Sequence, residues 1–82
     1  MNQKIHSPES LGVALREERK RQGLSQTKVG KSVGIDQPTM SRVEKGNPGT
    51  ELGTLFRLLA ALELELVVQK RQSTADGPGD IW

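Results

Sequence analysis

Eighty-two residues with 12 Lys/Arg against 10 Asp/Glu, no cysteine and one histidine make a single small domain with neither a disulfide framework nor a thiolate metal site. No apolar run approaches the ~18 residues of a membrane span and no signal peptide is visible, so a cytoplasmic protein is expected. The net charge of +2 is unevenly spread: residues 1–46 hold nine Lys/Arg against five Asp/Glu and residues 47–82 three against five, a basic excess on the half that carries the helix pair described next.

Residues 1–7 read as a short arm. Ser7-Pro8-Glu9 then combines a cap, a proline at the first helical position and an acid in the first turn, which starts a helix. Leu11, Ala14 and Leu15 form its apolar stripe with Val13 beside it, the run from Arg16 to Arg21 faces mostly water, and Gly23 stops it. Gly12 costs this helix up to ~1 kcal/mol against alanine. Leu24 staples the start of a second helix, about 26–33, from the position before its Ser25 cap. Gly34 ends that helix in a left-handed conformation, and Ile35 plugs the turn. Asp36 caps a third helix, about 37–45, with Pro38 in its first turn and Met40 and Val43 on its buried face. Residues 25–46 are thus helix, glycine-containing turn, helix, a motif whose second helix can lie in a DNA major groove.

After the turn-rich Asn47-Pro48-Gly49, Thr50 is expected to cap a fourth helix, about 51–62. Leu52, Leu55, Phe56, Leu58, Leu59 and Leu62 give that helix a wide apolar face, the main core donor of the bundle, which spans residues 8–62. The period then changes. Leu62, Leu64, Leu66 and Val68 alternate with Glu63, Glu65, Val67 and Gln69, which favours a strand over 63–70. A lone strand has no partner in such a chain, so pairing with its copy across a two-fold axis is the economical expectation. Dimerisation would also help so small a chain, which buries only ~60% of its unfolded surface. Residues 71–82 are polar, with Gly and Pro, and read as a disordered tail. It ends in Ile81-Trp82, either an inconsequential end or an apolar anchor for a partner.

Gln26 after the Ser25 cap, Gly34, Gln37, Thr39, Ser41-Arg42 and Glu44-Lys45-Gly46 resemble, as a set, the phage-repressor-like (XRE, lambda-repressor-like) helix-turn-helix family over about residues 8–62. The whole chain is similar to the HipB antitoxins of HipA/HipB toxin–antitoxin pairs. That likeness is carried by Gln3-Lys4-Ile5 with Ser7-Pro8, Thr50-Glu51-Leu52 with Thr54-Leu55-Phe56, Leu62-Glu63-Leu64 and the terminal tryptophan. The resemblance implies a mainly α fold of four to five helices, with a C-terminal strand pairing across a homodimer. It also implies a palindromic operator upstream of the chain's own operon, and a HipA-type serine/threonine kinase toxin held inactive in the complex. Val29-Gly30 stands where the family usually has Leu-Ala, Asp36 is acidic beside the expected DNA surface, and Pro38 replaces a side chain that could reach a base.

Within that family pattern, Gln26 and the first amides of helix 2 are expected to clamp a phosphate, with Thr27 and Lys28 in support. Gln37 is the expected base reader, because its amide matches N6 and N7 of adenine. Pro38 and Thr39 adjoin it, with a phosphate or thymine methyl for Thr39. Ser41 and Arg42 lie a turn on, phosphate being the safer assignment for Arg42, while Lys45 and the region up to Thr50 would hold the far backbone. Arg19 and Glu44 correspond to positions that pair in the interior of similar repressors, an expected structural ion pair. An enzyme reading has little to stand on: no nucleophile has a nearby base, His6 lies in the arm, and no nucleotide cradle or cofactor site is evident. Beside the antitoxin and autorepressor stand two alternatives, a stand-alone XRE-type repressor without a toxin partner and a protein-interaction adaptor that does not bind DNA.

Overall fold

A computed structural model describes residues 3–71, four helices and their connections; Ile81, Trp82 and the rest of the tail from residue 72 lie outside the described residues. Helix α1 spans Pro8–Arg21, α2 Gln26–Val33, α3 Gln37–Glu44 and α4 Leu52–Ala61. Local chemistry explains the first three starts. Ser7 accepts from the Ser10 amide at 3.0 Å while Ser10 Oγ accepts from the Ser7 amide at 3.1 Å, a reciprocal capping box with Pro8 in the first turn. Ser25 Oγ accepts from the Lys28 amide at 3.0 Å and Asp36 Oδ1 from the Thr39 amide at 2.9 Å. Gly34, left-handed at φ 74°, lets the chain reverse between α2 and α3.

The fourth start differs from expectation. Glu51 holds the cap position of α4 without a side-chain cap bond. Thr50 instead donates to the Asn47 carbonyl at 3.0 Å, and Asn47 Oδ1 accepts from the Gly49 amide at 2.7 Å, so both side chains serve the turn of the loop.

Helix α1 packs on α3, and α2 packs on both α3 and α4. Leu15, Val29, Ile35, Met40, Val43, Leu55, Leu58, Leu59 and Leu62 form the core where these layers meet, with Leu11, Leu24, Val33 and Leu64 at its margin. Close approach depends on two glycines without side chains. A Cβ at Gly12 would lie 2.5 Å from the Glu44 carbonyl oxygen, and one at Gly30 would lie 2.2 Å from that of Ile35. The propensity lost by Gly12 in α1 is therefore the condition for α1 to seat on the end of α3.

Two further corrections concern the C-terminal half. The apolar arc of α4 is wider than its core contact: Leu55, Leu58 and Leu59 are buried, whereas Leu52 and Phe56, one turn apart on the flank of that arc, are 69% and 52% exposed. Val13 of α1 is exposed as well. The alternation after residue 61 also begins differently. Glu63 adopts φ 59°, its amide donates to the Ala60 carbonyl at 3.1 Å, and the Leu64 amide donates to that of Leu59 at 2.8 Å. This is a Schellman closure with Glu in the place usually held by Gly. It folds Leu62 into the chain's own core at 2% exposure, with Leu64 packed against that core, so Leu62 is not an external interface residue. A hydrophobe two residues after the apolar cap residue Leu62 suits this closure as well as it suits a strand, hence the ambiguity. No strand forms among the described residues, and Leu66, Val67 and Val68 are exposed.

Candidate nucleic-acid interface

The Asp36 cap and Pro38 set the first turn of α3 at the surface, leaving Gln37 and Pro38 exposed and Thr39 half-buried. One turn on, Ser41 is half-buried and Arg42 exposed, with Arg42 Nη2 donating to Thr39 Oγ1 at 3.1 Å. Lys45 follows the helix and is exposed. Thr39, Arg42, Asn47, Gly49, Thr50 and Thr54 line a shallow recess between α3 and the loop before α4. At the neighbouring start of α2, Thr27 and Lys28 are exposed and Gln26 is half-buried. The arrangement offers one exposed helix face, two helix N-termini and the cations Lys28, Arg42 and Lys45, the chemistry that polyanions engage.

Beneath that face runs a continuous polar connection from the interior. Arg19 Nε and Nη2 donate to Glu44 Oε2 and Oε1 at 2.6 and 3.0 Å, a bidentate pair between α1 and α3 with 9% and 4% of the two side chains exposed. Arg19 Nη1 donates at 2.8 Å to the Leu24 carbonyl, fixing the α1–α2 connection. Glu44 Oε1 also accepts from Gln26 Nε2 at 3.0 Å, and Gln26 Oε1 accepts from Gln37 Nε2 at 2.7 Å. Four side chains from three helices thus lead from a buried guanidinium to the exposed first residue of α3. The bond to Glu44 holds the Arg19 guanidinium above its ordinary pKa, so its charge persists despite burial. The Asp36 carboxyl is held below its usual range by the Thr39 hydroxyl first and the Thr39 amide second.

Sequence spacing does not disclose two of these contacts. Gln26 meets Glu44 across 18 residues, and Arg57 of α4 donates at 3.0 Å to the Val33 carbonyl, placing a cation at the C-terminal end of α2. No pattern in the primary structure marks either; both follow from how α2 is wedged between α3 and α4.

Residues 10–70 match the helix-turn-helix domain family. The antitoxin HipB of Escherichia coli O6:H1 (strain CFT073) is 38% identical over 66 residues, which cover 80% of this chain and 70% of that protein. Two solved structures share the fold at a TM-score of 0.82 and 35% identity over 87% of this chain and all of theirs: a HipB-O4 20mer complex and a HipA-HipB-O2-O3 complex.

Proposed function

The chain belongs to the helix-turn-helix family, among the HipB antitoxins, and from that premise we propose that it is a sequence-specific DNA-binding antitoxin that represses its own operon as a homodimer and neutralises a HipA-type serine/threonine kinase toxin by direct contact. The observation that carries the DNA part is the exposed start of α3 beside the start of α2, with Gln37 held outward by Gln26. In this reading α3 enters the major groove and Gln37 pairs with an adenine. The α2 amides together with Gln26, Thr27 and Lys28 meet one phosphate run. Thr39, Ser41, Arg42, Lys45 and the loop to Thr50 meet the other, with Pro38 packed against the groove wall. The solved HipA-HipB-O2-O3 and HipB-O4 20mer complexes support the partner and DNA assignments by relationship.

For the dimer, the support is apolar surface that this chain leaves uncovered. Leu66 and Val68 stand exposed after the α4 closure, beside a groove formed by the arm from Gln3 to His6, α1 and α4. Strand pairing of residues 65–70 with their copy would cover that surface and present two α3 helices to two half-sites.

The test is binding to the DNA just upstream of the chain's own gene, at several salt concentrations, with and without the adjacent gene product. Specific binding with a steep salt slope, tightened by that product, is the expected result. Specific binding indifferent to the product would leave a stand-alone repressor, and absence of specific binding would leave the fold without this function.

A further inference from the structure

The position and direction of the hydrogen bonds between Glu44 and Gln37 carry more than mechanical support. A carboxylate only accepts, and Arg19 donates to both Glu44 oxygens. Gln26 must therefore turn its NH2 towards Glu44 and its carbonyl oxygen away. That oxygen can in turn only accept, so Gln37 must give it one N–H. Gln37 is left with its other N–H and its own oxygen facing outward. One donor beside one acceptor fits adenine, which shows an N7 acceptor and an N6 donor in the major groove; it does not fit guanine, whose N7 and O6 are both acceptors. With the direction reversed, Gln37 would accept from Gln26 and keep both N–H groups free, the pattern that guanine takes.

We propose that buried Glu44 is a specificity-positioning residue: its charge, transmitted through Gln26, fixes which way round the Gln37 amide faces and so makes α3 prefer adenine over guanine at one base pair. This rests on the reading of Gln37 as a base reader. Glu44 touches no base itself; the order of donors and acceptors is set two side chains away from the groove.

The experiment uses the full chain and a duplex selected by the wild-type protein from a random library. Each position of that duplex is replaced by the other base pairs, and binding is followed by fluorescence anisotropy for wild type and Q37A; the position at which Q37A loses preference is the one Gln37 reads. The adenine-to-guanine affinity ratio there is then compared among wild type, R19M/E44Q, which makes the interior pair neutral at similar volume, and Q26M, which removes the intermediary and leaves the buried pair. Wild type should favour adenine by about tenfold or more. Both variants should fall towards ~1, chiefly because adenine binding weakens. Circular dichroism and a cooperative melt establish folding. A wild-type ratio retained in folded R19M/E44Q overturns the proposal; if that variant does not fold, Q26M decides, and an unchanged ratio there overturns it equally. Should Q37A alter no position, the base-reader reading falls and the proposal with it. If Q37A alters one but the ratio survives in the variants, the reading stands and only the directional relay is refuted.

Discussion

Arg19 and Glu44 together bury two opposite charges between α1 and α3, and their value to the fold is asymmetric. Taking both out of water is expensive, and the bidentate geometry with the bonds to Leu24 and Gln26 offsets that cost. Removing one partner strands the other, so Arg19→Ala or Glu44→Ala should each destabilise by about 3–5 kcal/mol, whereas replacing both with apolar residues of similar volume should cost far less. Denaturant titration of the three variants checks this. Asp36 gives a prediction in pH. Its folded pKa is depressed by Thr39, so its contribution is complete above the unfolded carboxylate value of about 3.9 and is lost as pH falls through the lower folded value. Asp36→Asn keeps an acceptor for the Thr39 amide and removes the titration. Its thermal stability should therefore decline less steeply than wild type over that acid range, as a melting series would record. At this scale the primary structure discloses caps, whose chemistry is local, and hides Gln26–Glu44, whose partners are joined only by tertiary packing. Arg19 with Glu44 is visible through family resemblance rather than through any period in the chain.

Helices α1 to α3 are legible because three independent local signals agree at each: a capping side chain, a glycine or proline at a fixed offset, and an apolar period near 3.6. Helix α4 shows where such reading stops. Its apolar period is real, but the period says only that a face avoids water; Leu52 and Phe56 lie on a part of that face which this chain does not cover. Leu62-Glu63-Leu64 illustrates a second limit, since a spacing of two serves both a strand and a helix closure. Gly12 illustrates a third, in which a residue poor for its own helix is required by the neighbouring one. Gly12→Ala should raise the helix propensity of α1 and yet destabilise the protein by about 1–3 kcal/mol, because the new methyl meets the backbone carbonyls of Val43 and Glu44 rather than a movable side chain. Urea unfolding compares it directly with wild type.

Taken whole, the protein is a small bundle with exposed polar side chains at the starts of α2 and α3 and uncovered apolar side chains around α4 and the segment after it. A monomer that exposes Leu52, Phe56, Leu66, Val67 and Val68 leaves hydrophobic surface that a second copy would remove from water. On the proposed dimer, Leu66→Asp with Val68→Asp should leave helical content intact, shift sedimentation to the monomer, and abolish the dependence of melting temperature on protein concentration. Operator affinity should fall steeply, because two half-sites are then no longer bound by one linked pair of domains. A dimer that survives this change would assign the association to other surfaces.

The bond between Gln26 and Gln37 has an entropic side as well. A free glutamine at a helix surface samples many rotamers, and freezing such a chain during association costs about 0.5–1.5 kcal/mol. Here Gln37 is tethered to Gln26, and Gln26 to an interior carboxylate, in the uncomplexed protein. Its conformational freedom is given up when the chain folds, so in the proposed DNA complex the tip of α3 would meet its target already shaped, with correspondingly less rotational freedom left to lose on contact.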